Sequence, residues 1–413
     1  MNPRKKHYLL SNRSAEKLGI GLYLFKFFRE IIAFSLSAIF LVLSFCPDFC
    51  TIQAKSTSAI TEQKRAKDYK DKALHAIYHN RNAIAIRYLK KSLSLFAEDP
   101  QISELLALAY LREDKVKEAV LWLERSKQGD VASFYREIGH PFQQTASYKS
   151  VRLAIVDSPY PFYPLVEVNI KGRSFLFLVD TGSSTSLVDK QLAQEIGVQG
   201  RSPLKLVLSS GNKTQGLLCA IESISLGPLF VKNVPALIVS QLHQKPYARG
   251  YNFQGVLGMD LLSRFNLLID YPNRVINLLK KDIAAEDIVA KGSKMVAEIP
   301  FFLNPQGLIF LKGKCRLKEF LFLFDTGSRD YPMEFSKELV QALKPSQGSL
   351  DDPLSCVTLG CLQIKGLRGD STPLSLEMPT LEKIPFGGII GNSLLHRYKL
   401  FFDFQRMVLR LFL

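Results

Sequence analysis

Three patterns of apolar and polar residues divide the chain. An uncharged run of sixteen residues, Ile31–Cys46, follows an arm rich in Lys and Arg. A second region repeats small and apolar residues with a period of 34 residues, and a third brings two apolar strands to the same polar turn. In chain order, these patterns predict a targeting segment, paired helices and a strand-rich remainder. We therefore expect a multidomain protein with an N-terminal all-α region and a mainly β region.

The first pattern identifies residues 1–55 as a signal peptide or a membrane anchor. The uncharged run fits the apolar part of a signal peptide, or an anchor slightly shorter than the roughly 20 residues that span a bilayer. The basic arm predicts that the N-terminus stays inside, so that everything after Cys50 lies beyond the membrane. A buried core helix is the alternative, but such a helix is seldom uncharged on every side. We expect a protein of the cell envelope, membrane-anchored or secreted, with its main body outside the cytoplasm.

The second pattern covers residues 62–140. Aligning Ala73 with Ala107 also matches Ala85 with Ala119, which gives the 34-residue period. Small residues at these places let two helices approach closely, and the unit resembles a tetratricopeptide repeat. Two units bury little core, so the following segment "VASFYREIGHPF" is expected to add a closing helix. The region is either a spacer or a groove that binds a protein partner.

Composition excludes several kinds of site. The net charge is +16, but no arginine-rich tract is interleaved with aromatic residues, so we expect no nucleic-acid partner. His75 and His79 stand four apart on one predicted helix without a third ligand, and we expect neither a metal nor a cofactor. Six cysteines are too few for a disulfide framework. Whether Cys356 and Cys361 form a single disulfide stays open.

The third pattern is a duplication within residues 151–413. The stretch "FLFLVDTGSS" carries Asp180 and the stretch "FLFLFDTGSR" carries Asp325, each directly after apolar residues. Further on, "GVLGMDLLSRF" and "GIIGNSLLHRY" align without a gap and pair Gly258 with Gly391. A carboxylate at the end of a buried strand is costly unless it is paired or functional, and here each copy supplies one. The sequence therefore contains two copies of one lobe.

These two copies resemble the aspartic proteases, specifically retropepsin-like lobes joined in one chain with the two-lobed layout of the pepsins. The resemblance implies a mainly β bilobal acid-protease fold, with one lobe at residues 151–290 (the first half) and the other at residues 296–413 (the second half). It also implies an endopeptidase that acts on proteins or peptides. Since one chain supplies both lobes, the catalytic unit is expected to be a monomer.

In that family, the two Asp-Thr-Gly loops meet at a pseudo-twofold axis. The resemblance makes Asp180 and Asp325 the catalytic pair. Three pairs of residues are expected to support them. Thr181 and Thr326 exchange hydrogen bonds across the axis, and Gly182 and Gly327 let backbone amides reach the inner carboxylate oxygens. Ser183 and Ser328 bond the outer carboxylate oxygens.

The chemistry explains why two carboxyls are needed. Hydrolysis of an amide without a metal or a covalent intermediate requires a base that activates water and an acid that protonates the leaving group. Two adjacent carboxyls that share one proton supply both, because like charges so close together cannot both ionise cheaply. Neither copy alone is expected to catalyse the reaction.

The segment that follows the first motif alternates apolar and polar residues around a turn, which predicts a hairpin. By resemblance this hairpin is the flap over the substrate, with the substrate-binding residues Ser210, Gly211, Asn212 and Lys213. It lacks the tyrosine near its tip that pepsins carry, and Arg329 brings a guanidinium where the first half has Ser184. Because a nearby cation favours the doubly ionised pair, a pseudo-protease that binds peptides without cutting them stays open as an alternative. A scaffold whose helical repeats carry the function is a second alternative.

Overall fold

The computed structural model describes residues 47–95, 99–144, 148–157, 163–207, 213–240, 242, 253–289, 292–315, 318–328, 333–343, 357–364 and 384–413. The predicted targeting run, the hairpin tip at residues 208–212, Arg329 and Cys356 lie outside these residues. The structure divides into two compact units, Met1–Lys67 and Asp68–Leu413. No helix in the described part is both long and apolar enough to cross a membrane.

The N-terminal part of the described chain is helical. Its helices are α1 (Pro47–Tyr78), α2 (Asn82–Leu95), α3 (Pro100–Arg112), α4 (Val116–Arg125) and α5 (Gly129–Ile138). Asp99 caps α3 by accepting a hydrogen bond from the backbone N of Gln101, and Pro100 opens that helix. Asn80 and Asp114, which the 34-residue period aligns, both lie in the left-handed region, with φ of 54° and 56°. One period therefore corresponds to one helix pair with the same turn.

Small residues of the 34-residue period lie where the helices pack. Ala73, Ala85 and Ala119 are fully buried and belong to one apolar cluster with Leu89 and Leu106. A methyl side chain at the contact allows two helix backbones to approach closely. The helix α5, which follows the second pair, contributes Ala132 to the next apolar cluster and closes the helical layer.

The first half forms a closed barrel. The strands up to Leu257 are β1 (Gln143–Gln144), β2 (Ser150–Ala154), β3 (Leu165–Ile170), β4 (Arg173–Val179), β5 (Leu187–Asp189), β6 (Pro203–Val207), β7 (Lys213–Leu226), β8 (Leu229–Val239) and β9 (Gly255–Leu257), with the helices α6 (Lys190–Glu195) and α7 (Met259–Leu262). Strands β8, β5, β9, β4, β3 and β7 pair in that order, and β7 also pairs with β8. This last pairing closes a ring of six strands. Strand β6 continues outward as a hairpin with β7.

The second half supplies most of the remaining elements. These are β10 (Asn266–Asp270), β11 (Val275–Leu279), a 3₁₀ turn (Ala285–Asp287), β12 (Met295–Leu303), β13 (Ile309–Cys315), β14 (Lys318–Asp325), β15 (Met333–Phe335), α8 (Lys337–Leu343), β16 (Val357–Leu359), β17 (Leu362–Ile364), β18 (Phe386–Gly391), α9 (Asn392–Leu395), β19 (Lys399–Asp403) and β20 (Val408–Phe412). Strands β12, β20, β19, β10, β11 and β2 form one run of a larger sheet that takes strands from both halves.

The centre of this shared sheet shows how the two halves are related. Strands β10 and β19 pair antiparallel, with Leu268 opposite Phe401. The gap-free alignment assigns these two residues to the same position in the two copies. A residue that pairs antiparallel with its own counterpart lies on an approximate twofold axis. The sheet therefore joins the two halves symmetrically.

Polar contacts tie the helices to the second half. Asn80 donates a hydrogen bond from Nδ2 to the backbone O of Phe404 at 3.2 Å. Arg112 donates from Nη2 to the backbone O of Asn304 and to that of Pro305, both at 2.9 Å. A guanidinium that bonds two loop carbonyls fixes the end of α3 against this loop.

Apolar contacts tie the helices to both halves. Tyr78 shares a buried cluster with Phe310 and Ile389 of the second half, and Phe134 shares one with Leu218 and Leu237 of the first. The helices from Asp68 onward and all the described strands thus belong to one compact unit. A flexible spacer would not bury side chains in this way.

Candidate active site

Two aspartates lie at the ends of equivalent strands. Asp180 directly follows β4, whose last residue, Val179, pairs in parallel with Leu257 of β9. Asp325 ends β14 and pairs in parallel with Gly391 of β18. The apolar residues before each aspartate are buried, so each strand carries its carboxyl to the edge of a packed core. The duplicated sequence thus produces a duplicated strand-to-loop geometry.

The two loops are locked to each other by their threonines. The backbone N of Thr181 donates to Oγ1 of Thr326 at 2.9 Å, and the backbone N of Thr326 donates to Oγ1 of Thr181 at 3.1 Å. Each hydroxyl then donates across to the opposite strand, from Thr181 to the O of Phe324 at 2.9 Å and from Thr326 to the O of Val179 at 2.7 Å. Both threonines are fully buried. The exchange expected from the sequence is present, and it brings the two aspartates together.

Each glycine donates a hydrogen bond to the carboxyl of its own loop and lies against the carboxyl of the other loop. Gly182 N donates to Oδ1 of Asp180 at 2.8 Å, and Gly327 N donates to Oδ1 of Asp325 at 2.7 Å. A Cβ atom built on Gly182 would lie 2.3 Å from Cγ of Asp325, and one on Gly327 would lie 2.6 Å from Cγ of Asp180. No side chain fits at either place. The crossed contacts show that the two carboxyls face one another over the two glycines.

The surroundings of the pair favour a shared proton. Burial is the main cause that raises the pKa of Asp180, and hydrogen bonds from its loop oppose this. Burial also raises the pKa of Asp325, well above the ordinary range, and the negative charge of Asp180 adds to the effect. Each carboxyl also acts on the pKa of the other. Because like charges this close cannot both ionise cheaply, the pair favours a state in which one proton is shared.

The two serines differ from the expectation that their hydroxyls bond the outer carboxylate oxygens. The hydroxyl of Ser183 donates to the backbone O of Thr185 at 2.7 Å. The hydroxyl of Ser328 points to Oε1 of Glu334 at 3.4 Å, and only its backbone N reaches Asp325, at 3.1 Å. Serine in a turn readily bonds a nearby backbone or side-chain acceptor, which here outcompetes the aspartate.

The hairpin predicted as a flap is present, but most of its tip lies outside the described residues. Strands β6 and β7 pair from Pro203 with Leu217 to Val207 with Lys213, so residues 208–212 connect them. Ser210, Gly211 and Asn212 fall in that connection, and Lys213 begins β7. The roles assigned to these four residues stay predictions.

Sequence reasoning missed a buried polar pair that joins Tyr271 of the first half to Asn392 of the second half. Asn392 donates from Nδ2 to the backbone O of Thr326 and accepts a hydrogen bond at Oδ1 from the hydroxyl of Tyr271. Asn392 is fully buried, and burial raises the pKa of Tyr271 well above its ordinary value, with the charge of Asp325 adding to it. A signal was available: Asn392 directly follows Gly391, where the first half has the apolar Met259.

The first half has a different polar group, one position further along the alignment, in the half-buried Asp260. The carboxylate of Asp260 accepts hydrogen bonds from the backbone N and the hydroxyl of Ser186, at 2.9 and 2.8 Å. The same hydroxyl accepts from Gly258 N at 3.2 Å. Burial raises the pKa of Asp260 to about 6, although the hydrogen bonds from Ser186 oppose it. Asp260 therefore joins the end of the first catalytic loop to the segment that threads beside it.

The remaining sequence candidates do not enter the site. His79 lies with Nδ1 2.8 Å from the O of His75 and with its ring edge-on to Phe302. Within the described ranges, no group of three or more His, Cys, Asp or Glu could hold a metal ion. Cys361 is a free thiol, and its suggested partner Cys356 lies outside the described residues.

Comparison with known proteins adds a family match. Residues 166–261, which contain the first Asp-Thr-Gly-Ser motif, match the family model described as aspartyl protease. The crystal structure of a retropepsin-like aspartic protease from Rickettsia conorii is 19% identical; the match covers 34% of this chain and 96% of that chain, with a TM-score of 0.24. No curated protein gives a significant match. The family match supports an aspartic protease relationship, on the part of the chain that carries Asp180.

Proposed function

We propose that the chain is an aspartic endopeptidase with a two-lobed catalytic unit, and that Asp180 and Asp325 activate the water that hydrolyses the peptide bond. The observation that carries this proposal is the crossed contact of the two motifs, in which each glycine lies against the carboxyl of the other half. A pair of carboxyls held in this way has no evident structural use, because buried acids at such close range are costly.

The proposed reaction starts with one proton on the pair, held by Asp325. Ionised Asp180 takes a proton from water, the water oxygen bonds to the carbonyl carbon, and Asp325 gives its proton to the carbonyl oxygen. Asp180 then passes its proton to the amide nitrogen as the C–N bond breaks. One hydroxyl of the intermediate returns its proton to Asp325. The products are a carboxylic acid and an amine, and the pair is back in its starting state.

The substrate is proposed to be a protein or a peptide in extended form. The hairpin of β6 and β7 lies in the chain between Asp180 and Gly258, which is where a flap over the bound peptide is expected. Both catalytic loops come from one chain and are joined by the Thr181–Thr326 exchange. A monomer should therefore be active, and activity per molecule should not fall on dilution.

Export and membrane tethering belong to the same proposal. Their support is the sequence alone, namely the basic arm before Ile31 and the uncharged run that follows it. A reporter that is active only outside the cytoplasm, fused after residue 60, should be active. The tetratricopeptide-like character of the helices, with a protein partner bound to them, is likewise a proposal. It is supported by the 34-residue period and by the matching φ angles of Asn80 and Asp114.

A mixed-peptide digestion from acid to neutral pH tests the proposed activity. We expect cleavage products, and we expect a statine-type inhibitor to abolish them, because its hydroxyl mimics the tetrahedral intermediate. Binding of the inhibitor without any cleavage would indicate the pseudo-protease instead. Cleavage that the inhibitor does not affect would contradict the two-carboxylate mechanism.

A further inference from the structure

The short helix α7 lies between the first catalytic loop and the helical layer. Its first turn follows Gly258, whose neighbours bond the catalytic loop directly: Asp180 N donates to the O of Leu257 at 3.1 Å, and Met259 N donates to the O of Ser183 at 2.8 Å. A Cβ atom on Gly258 would lie 2.4 Å from the backbone C of Thr185. Any shift of α7 therefore moves the loop that carries Asp180.

Arg264, which follows α7, connects it to the helices. Its Nη1 donates to Oδ1 of Asp114 at 2.7 Å, and its Nε donates to the backbone O of Asp260 at 3.2 Å. The guanidinium also lies 4.5 Å from the ring centroid of Phe142, which follows α5. The Arg264 side chain is 19% exposed and that of Asp114 is 58% exposed, so the ion pair lies at the edge of the packed surface and is partly open to solvent. Arg264 thus binds the helical layer and the end of α7 at the same time.

Other ionisable side chains, most of them from the helical layer, lie around Arg264 and Asp260. Arg112, at the end of α3, is buried, and burial lowers its pKa to about 10. Tyr135 of α5 is close enough that the charge of Asp260 raises its pKa, although burial is the larger cause. Burial lowers the pKa of Lys281 of the first half, the charge of Arg264 lowers it further, and the charge of Asp114 opposes this. The charged contact is therefore part of a packed interface between the layer and the first half.

The second half has no such connection among its described residues, although it has the same backbone elements. Ser393 stands in the position of Asp260, and its hydroxyl has no hydrogen-bond partner. Arg397 stands in the position of Arg264, but it is exposed and lies over the ring of its neighbour Tyr398 at 5.2 Å. Among the described residues, a charged contact between the helices and this short helix is thus a feature of the first half alone, and it does not come from the duplication itself. The helices reach the second half at other places, through Asn80, Arg112 and Tyr78.

We propose that the helical layer positions the first catalytic loop through the series Asp114, Arg264, Asp260 and Ser186. Asp260 and Arg264 are positioning residues in this scheme, since neither carboxyl of the catalytic pair touches them. The helices then form part of the catalytic unit, and a ligand or partner bound to them has a direct route to Asp180. This inference rests on the proposed peptidase activity for its kinetic test, but its structural test does not.

The first experiment compares Arg264→Ala with Arg397→Ala, the same substitution at the matching position of the second half. In Arg264→Ala we expect kcat to fall about tenfold or more, with KM within about twofold, because the aspartate is misplaced while the peptide cleft is kept. Arg397→Ala should keep the wild-type kcat. Arg264→Lys keeps the charge and should recover part of the activity. If Arg264→Ala does not fold, Arg264→Lys is used in its place.

A second measurement does not depend on activity. Hydrogen–deuterium exchange of the segment Asp180–Ser186 should become faster in Arg264→Ala and stay unchanged in Arg397→Ala. If exchange there is unchanged while the melting temperature falls, Arg264 is only a structural contact and the proposal is wrong. If the wild-type enzyme shows no peptidase activity, the proposed function fails, and the exchange result still decides the positioning role.

A double-mutant cycle completes the test. Asp114 and Asp260 are linked through Arg264, so the effects of Asp114→Asn and Asp260→Asn on kcat should be non-additive. Independent effects would show that the helical layer does not reach the loop through this series, and would overturn the proposal.

Discussion

The two halves hold the Asp-Thr-Gly loop with different polar side chains. In the first half, the carboxylate of Asp260 binds the backbone and the hydroxyl of Ser186. In the second, Asn392 binds the backbone O of Thr326 and is itself bound by Tyr271. The sequences around these residues align without a gap, and the strands and short helices match. The comparison teaches that the duplication preserves the backbone geometry of the site, while the side chains that brace each loop have diverged.

The carboxyls of Asp180 and Asp325 also lie in unequal surroundings. Asp325 is 6% exposed, whereas Asp180 is of intermediate exposure. Burial raises the pKa of both, and the pKa of Asp325 is raised further by the charge of Asp180. An approximately symmetric backbone thus carries two carboxyls in unequal surroundings, as the proposed division into an acid and a base requires.

The largest expected effect comes from the glycines of the two Asp-Thr-Gly loops, which the halves share most closely. Gly182→Ala and Gly327→Ala each place a methyl group in steric clash with the opposite carboxyl, at 2.3 and 2.6 Å from its Cγ. We expect each to lower kcat about 100-fold or more, since the pair must separate. Gly129→Ala is the control, because a Cβ there meets nothing within 4 Å. Wild-type turnover in either loop variant would show that the carboxyls do not meet.

The side chains that brace the two loops, Asp260 in the first half and Asn392 in the second, should give a smaller effect. That effect should differ between the halves. Asn392→Ala leaves the O of Thr326 and the hydroxyl of Tyr271 without their partner in a buried site. We expect the free energy of unfolding in urea to fall by about 2–4 kcal/mol. Ser393→Ala, one residue further along α9, removes a hydroxyl that has no partner and should cost nothing. Equal losses in the two variants would contradict the bracing role of Asn392.

Removing the hydroxyl of either threonine should lower the stability by a similar amount, because the two threonines exchange equivalent hydrogen bonds. Thr181→Val and Thr326→Val each remove a hydroxyl that accepts one hydrogen bond and donates another, so each should cost about 1–3 kcal/mol in urea denaturation. The double variant should cost less than the sum, since the hydroxyls act as one unit. Thr→Ser at each position keeps the hydroxyl and should retain most of the stability. A strong effect on one side only would show that the exchange is not symmetric.

The smallest expected effect is a change in how stability depends on pH. The folded pKa of Asp325 is raised, so the folded protein binds this proton more tightly than the unfolded chain does. Its contribution to stability is fully present below the unfolded carboxyl pKa of about 4, and it is lost as the pH rises through the folded pKa. Asp325→Asn should remove this loss, so urea denaturation should show a weaker decline toward neutral pH. Parallel curves for wild type and variant would contradict the raised pKa.

Much of this site could be predicted from the sequence because its signals are local and repeated. Two copies of an apolar strand followed by Asp-Thr-Gly-Ser predicted the pair, and the threonine exchange and the glycine contacts follow from the backbone that this motif adopts. The hairpin of β6 and β7 was predicted from alternation, and its pairing is present. A period of 34 residues predicted the helix pairs.

The other contacts could not be predicted because they depend on the packing of distant segments. The hydroxyls of Ser183 and Ser328 are directed at nearer acceptors, and a sequence motif does not reveal which acceptor is nearer. Tyr271 reaches Asn392 across 121 positions of the chain, and Arg264 reaches Asp114 across 150. Only a folded chain shows that the helical segment packs on the strands.

The central claim, that Asp180 and Asp325 act as one unit, is tested most directly by the peptidase activity of purified Asp180→Asn, Asp325→Asn and the double variant. Asparagine keeps the size of the side chain but removes the titratable carboxyl. We predict that each single variant loses turnover as completely as the double variant, because residues that act together are not additive, and that all three stay folded. Full activity of Asp325→Asn would contradict the two-carboxylate mechanism.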